Sequence, residues 1–336
     1  MALTPLNAKH QAQILAGTLG RTKGHGFEKD LAATINAIDW SNEEAISLKD
    51  TNLFIGNPTK LLISYIQKKK KYKKILKIRA WWLGGLATSG EGDVILNESG
   101  LAVGKSKSDV VVEITYNNGV ERIGVSVKTC NKNTPTNDQL YFTTASAFCA
   151  LLRTHGMQVS IEAEEALKMF CGDAGFRPLD APNSIGDRKS DPNRWFFEEL
   201  PQVAKEELVV LFTKYQEDIT RILLQKAYLN DPFYPEFLLH QTKLFTDYEN
   251  CEIALFQLNE LIEFSSKYNS FWTKPYVVRK GSYKGDLAVH EAPRFGFIQF
   301  QRGGQKQHPT QLQFNLEAGY FYKLPAAEPM KVSPPS

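Results

Sequence analysis

The sequence predicts an α/β fold in which a mixed β-sheet is flanked by helices, and three features predict it. Apolar residues recur at helical spacing over residues 26–38. Two β-rich runs, 109–116 and 121–129, flank the dipeptide Asn118-Gly119, a strong short-range hairpin signal. From Tyr276 onward, short strand-like runs are separated by glycines. At 336 residues, 42% hydrophobic and 23% charged, the chain is long enough to bury a full core as one large domain or two small ones.

The elements follow in order. GFEKDLAATINAI, at 26–38, reads as a first helix. A second, longer helix is expected over 60–79, with Leu61, Leu62, Tyr65 and Ile66 apolar and the lysines toward its C-terminal half, where cations suit the helix dipole. WWLGGLATSGEGD, at 81–93, is glycine-rich and irregular. Strands are expected at 94–96, 109–116 and 121–129, then a polar loop, a helix over 142–153 and another over 161–170. Residues 172–195 form a long loop dense in Gly, Pro and Asp. Residues 198–267 have a helical pattern interrupted by Asp231-Pro232 and Pro235, and the texture then changes to strands. The tail after Leu324 lacks apolar bulk and is expected to be disordered.

Composition narrows the classes of function. No uncharged apolar stretch approaches the roughly 18 residues of a membrane span, so a cytoplasmic, non-membrane protein is the default expectation. Cys130, Cys149, Cys171 and Cys251 form no C-x-x-C pair, which leaves no zinc site or disulfide framework and predicts buried, reduced thiols. The six histidines show no ligand spacing, and no phosphate-binding G-x-x-x-x-G-K-[ST] string is present. Net charge is only +3, yet residues 68–79 carry eight positive charges, leaving the rest of the chain at −5. Such a run suits phosphates, with Lys69, Lys70 and Lys73 as its candidate contacts.

The chemistry concentrates in the hairpin. A two-residue loop at Asn118-Gly119 sets Asn117 opposite Val120, Asp109 opposite Lys128, Val111 opposite Ser126 and Glu113 opposite Gly124. Asp109, Glu113, Ser126 and Lys128 then share one face, while Val110, Val112, Ile114, Ile123, Val125 and Val127 share the other. A carboxylate beside a lysine on a sheet face suits phosphodiester hydrolysis. The carboxylate can ligate Mg²⁺, which acidifies a water, and the amine can orient that water or stabilise the transition state.

Asp109 in Lys107-Ser108-Asp109, followed after a hairpin by Ser126-Val127-Lys128, resembles the signature of the PD-(D/E)XK nuclease superfamily, and type II restriction endonucleases in particular. The segment 81–93, the Phe176-Arg177-Pro178 loop, and the late Gln301-Arg302-Gly303-Gly304 and Gln311-Leu312-Gln313-Phe314 segments extend this similarity over most of the chain. Ser108 replaces proline and Ser126 replaces the usual acid. The resemblance implies that the second metal-binding acid comes from elsewhere, with Glu28 on the first helix and Glu113 as candidates. It also implies a restriction-endonuclease-like catalytic core over 1–160 and a helical then β-rich DNA-recognition and dimerisation region over 161–325, ahead of the tail over 326–336 that composition predicts to be disordered. The expected activity is Mg²⁺-dependent, site-specific hydrolysis of double-stranded DNA by a homodimer, since a two-fold dimer matches a palindromic site. A non-specific or repair nuclease of the same fold, or a DNA-binding module without catalysis, are the alternatives. Glu91 and Asp93 are further candidate metal ligands, although in their glycine-rich turn they are expected to bond backbone instead.

Base reading requires arginine or amide side chains in a groove. Gln301, Arg302 and Gln305, with Lys306 and Gln307, are one candidate set, and Arg177, Arg188 and Arg194, with Lys189, are a second. Trp81, Trp82, Phe196 and Tyr234 are expected to pack in the core rather than to stack on bases.

Overall fold

The computed structural model describes residues 8–87, 89–181, 191–277, 289–302, 310–324 and 328–332. The chain is mixed α/β and divides into two compact units. One comprises Leu15–Asp138, Leu224–Phe264 and Ala318–Ser336; the other takes Gln139–Leu223, Ser265–Glu317 and the residues before Leu15.

The first unit is built on a seven-stranded mixed sheet. Its spatial order is β12 (Met330–Lys331), β1 (Leu53–Gly56), β7 (Cys251–Gln257), β6 (Pro235–Gln241), β4 (Gly119–Thr129), β3 (Val110–Tyr116) and β2 (Ile75–Trp82). The β4–β6 and β1–β12 pairs are parallel and the others antiparallel. One sheet face carries Val110, Val112, Ile114, Ile123, Val125, Val127, Phe237, Leu239, Ile253 and Leu255. Phe27, Leu31 and Ile35 of α1 (Ala8–Ala37) and Leu61, Leu62, Tyr65 and Ile66 of α2 (Pro58–Lys70) cluster with them. Each such side chain contributes roughly 1.5–3 kcal/mol on burial. A one-residue slip of β4 would send Ile123, Val125 and Val127 to the other face, so the faces are strongly specified. The opposite face holds a smaller cluster of Trp81, Leu83, Ile95, Val111 and Phe233.

The second unit contains a five-stranded sheet ordered β5 (Asp138–Thr144), β11 (Gln311–Leu316), β10 (Ile298–Arg302), β9 (Val289–Phe295) and β8 (Trp272–Val277). Helices α3 (Ala145–Thr154), α4 (Ile161–Cys171) and α5 (Gln202–Lys214) belong to it. Its core is aromatic: Phe148 and Phe314 lie with ring centroids 4.7 Å apart, and Phe212 lies 4.9 Å from Phe295 and 5.0 Å from Phe300.

Several elements differ from expectation. The helix expected over 60–79 ends at Lys70, where Lys71 takes a left-handed conformation (φ 59°) and its N–H turns back to Gln67 and Lys68. Residues 75–82 are strand β2 instead. A bulge between Ile75 and Lys77 leaves Ile75 and Ile78 both buried, a spacing of three that mimics a helix. The helical pattern over 198–267 holds for α5, α6 (Gln216–Arg221) and α7 (Leu258–Ser266), but β6 and β7 lie between them. Both strands are buried along nearly their whole length, so they read as continuous apolar runs without alternation. The sheet therefore extends past the boundary expected at 160. Residues 138–144 form β5 ahead of a shorter α3. Residues 94–96 contribute only an isolated bridge, Leu96 to Ala102. In the tail, Met330 and Lys331 pair with Phe54 and Ile55 rather than being disordered. The four cysteines are free and buried. Among the described residues no helix is long and apolar enough to cross a membrane.

Inside the first unit, His240 of β6 is 1% exposed, and its Nε2 lies 2.7 Å from Asp138 Oδ2. Asp138→Ala would strip the buried imidazole of this partner, at a cost of about 1–3 kcal/mol. Urea unfolding should show that loss as a lower midpoint at unchanged slope.

Candidate active site

The β3–β4 hairpin places the site. Its two-residue loop is Asn117-Asn118, not Asn118-Gly119, because Tyr116 pairs with Gly119. Glu113 accordingly faces Arg122, and Val111 faces Gly124. The partner of each residue moves by two positions, which preserves every face, so the hydrophobic pattern is identical in both registers.

Asp109 directly precedes β3, and its backbone N–H donates to Val125 O at 2.9 Å. Its carboxylate turns across the start of the strand. Oδ2 accepts from Ser126 Oγ at 3.1 Å, from Val127 N at 2.6 Å and from Lys128 Nζ at 3.4 Å. Ser126, in the place of the usual second acid, thus helps to hold the Asp109 carboxylate. Lys128 Nζ also donates to Val127 O at 2.9 Å, so two of its three N–H groups are engaged and one remains for a substrate oxygen. Both side chains of the Asp109–Lys128 pair are mostly buried, at 19% and 17% exposed, where water screens their charges weakly.

Glu28 joins this pair from α1. Only 7% exposed, it accepts a hydrogen bond at 3.0 Å from Trp82 Nε1. Burial first, and the negative charge of Asp109 second, push its carboxyl up to about 8; the indole bond and the Lys128 charge oppose this. Lys107, two residues before Asp109, is the counterpart: removal from water and the charge of Lys128 push its ammonium down to about 7, against the pull of Asp109 and Asp231.

Asp109 and Glu28 are the residues that could hold a hard divalent cation, whose preferred ligands are oxygens. Asp109 Oδ2 and Glu28 Oε2 are occupied by protein donors, which leaves Asp109 Oδ1 and Glu28 Oε1 for a metal. One oxygen from each of two carboxylates, completed by water and substrate oxygens, is how Mg²⁺ is commonly bound. No group of three or more His, Cys, Asp or Glu poised for a metal occurs among the described residues.

Other expected residues are placed elsewhere. Glu113 lies four positions along β3 from Asp109, about 13 Å at strand spacing, and pairs with Arg122 Nε at 2.8 Å. Asp93 bonds the backbone of Trp82 in both directions, at 2.8 and 2.7 Å, as expected for a turn residue. Lys69 pairs with Glu260 at 2.7 Å, and Lys70 with Glu121 at 2.5 Å and Glu236 at 2.7 Å; Lys73 is exposed. Arg177 forms a two-pronged pair with Asp180, at 2.7 and 2.8 Å. Arg194 pairs with the buried Asp191 at 2.9 Å. The Arg302 side chain, 9% exposed, donates to Trp195 O at 2.7 Å and lies 4.2 Å over Phe196. Gln301 Nε2 donates to Gln313 Oε1 at 3.3 Å. Arg188 and Gln305 lie outside the described residues.

Sequence reasoning missed Lys107, Trp82 and Gly84 as members of the site. Trp82 was indistinguishable from a core aromatic, and Gly84 from any turn glycine. No protein-family model matches the chain, and no curated protein matches it.

Proposed function

We propose that this chain is a Mg²⁺-dependent nuclease that hydrolyses phosphodiester bonds in double-stranded DNA, in the manner of type II restriction endonucleases. The observation that carries this reading is the convergence of Asp109, Lys128 and Glu28 in one partly buried site, with Lys128 Nζ 3.4 Å from Asp109 Oδ2. Asp109 and Glu28 would hold the cation, which supplies charge neutralisation at the phosphate and lowers the pKa of water. Ser126 and the Val127 N–H fix the Asp109 carboxylate, so the ligand oxygen is set before substrate arrives. Lys128 offers its remaining N–H to the phosphate where negative charge builds, and Lys107 adds a second amine nearby. Exposed Lys73, Lys74 and Lys77 suit phosphates of the flanking duplex. A homodimer acting on a palindromic site is part of the proposal.

Digestion of a long duplex DNA with Mg²⁺, followed by sequencing of the ends, tests this function. Discrete fragments with a common end sequence are expected. A smear would retain the chemistry and remove site specificity. DNA that binds without Mg²⁺ and stays intact would identify a binding module and overturn the nuclease assignment.

A further inference from the structure

We propose that Trp82 and Gly84 are positioning residues, which together clamp Glu28 so that Oε1 alone is presented to a divalent cation. This rests on the metal site proposed above and names the part of the chain that shapes it.

Trp82 ends β2 opposite Val110, next to Asp109 in sequence, so the indole and the acid are carried by paired strands. Asp93 grips the Trp82 backbone at both N and O, and Leu83 N donates to Asp109 O at 2.8 Å. The indole is flanked from α1 by His25, with ring centroids 5.8 Å apart, and by the Lys29 ammonium at 6.0 Å. Both neighbours lie within one helical turn of Glu28, so helix and indole meet in one arrangement. Trp82 Nε1 then donates to Glu28 Oε2 at 3.0 Å.

Gly84 closes the clamp by what it lacks. A Cβ there would fall 1.8 Å from Glu28 Oε2, 2.9 Å from its Cδ and 3.1 Å from Trp82 Nε1. Gly84 is not among the glycines with positive φ, so its backbone conformation is open to other residues. Space is therefore the requirement, and the atom that takes the space is a carboxylate oxygen. That oxygen ends a flexible side chain, so Gly84→Ala should displace the carboxylate and leave the fold standing. The clamp fills Oε2 with a donor and holds it against the chain, which leaves Oε1 as the oxygen that would be offered to a cation. Partners of metal-ligating carboxylates typically alter metal affinity by about 10- to 100-fold when removed.

Titration of the full-length chain with Tb³⁺, with tryptophan excitation and terbium emission, tests the clamp without reference to catalysis. Wild type and a Trp81→Phe control should show saturable sensitised emission. Gly84→Ala should bind Tb³⁺ about 10- to 100-fold more weakly at an unchanged melting temperature. Trp82→Phe should lose most of the sensitised emission as well as affinity, as measured by competition with Mg²⁺. Wild-type affinity in both Gly84→Ala and Trp82→Phe, with binding abolished in Glu28→Gln and Asp109→Asn, would overturn the clamp and leave the metal site standing. Equal binding by wild type, Glu28→Gln and Asp109→Asn would overturn the clamp together with the site on which it rests.

Discussion

Replacing Lys128 with alanine is expected to slow the proposed DNA cleavage by about 10²–10³-fold while leaving DNA binding nearly intact. The Lys128 ammonium is held by Asp109 and by Val127 O, with one N–H directed to neither. A fixed cation in a poorly hydrated site acts where charge develops, and deleting such a donor typically slows turnover by about 10²–10³-fold. Under the proposed function, binding would draw instead on many phosphate contacts spread over the surface, of which this would be one. The fold should survive, since Asp109 Oδ2 keeps Ser126 Oγ and the Val127 N–H as donors. Lys128→Arg should also be slow, because a planar guanidinium does not reproduce the donor geometry of a compact ammonium. Single-turnover cleavage with a parallel filter-binding assay separates the two effects. Wild-type turnover in Lys128→Ala would refute the role assigned to this residue.

Glu28→Gln is expected to remove a pH dependence of stability that the wild type shows without metal. In the folded chain the Glu28 carboxyl keeps its proton to about 8, against 4.5 in its ordinary state. Between those values the folded state binds more protons than the unfolded one, so stability falls as pH rises. The contribution is fully present below about 4.5 and lost above about 8, and is on the order of 5 kcal/mol in total. Mg²⁺ should restore stability most strongly at the alkaline end, because a cation binds the ionised carboxylate and not the acid. Thermal unfolding at pH 5, 7 and 9, with and without Mg²⁺, measures both effects. Equal pH slopes for wild type and Glu28→Gln would show that Glu28 is not the buried acid described here.

The legible parts of the fold are those where periodicity is unambiguous. The part of helix α1 from residue 26 onward, the faces of the β3–β4 hairpin and strand β11 follow from helical spacing or alternation, whereas the earlier part of α1, from Ala8, was not expected. Strands β6 and β7 were illegible because both faces are covered, which erases the period of two. Strand β2 was masked by its bulge and by the lysines before it. The hairpin register escaped for a subtler reason: sliding the loop by one residue keeps all six core side chains inward, so only the turn distinguishes the two pairings.

In the site, the Asp109–Lys128 pair is readable because both belong to one hairpin, where face and order follow from spacing. Glu28 lies 81 positions before Asp109, and nothing in local pattern links them. The helix was predictable, its docking beside the strand ends was not, and the resemblance alone singled out that glutamate. Arg302 misled for the opposite reason. A glycine-bounded arginine reads as an exposed loop residue, yet its guanidinium lies over the rings of Phe170 and Phe196 and donates to Trp195 O.

Supercoiled plasmid incubated with wild-type chain or its Asp109→Asn variant, in Mg²⁺ or in a chelator, decides whether Asp109, Lys128 and Glu28 form a phosphodiesterase centre. Conversion to nicked and linear DNA by wild type in Mg²⁺, with none in chelator and none by Asp109→Asn, is the expected result. Plasmid left supercoiled by wild type in Mg²⁺, or cut equally by both proteins, would contradict it.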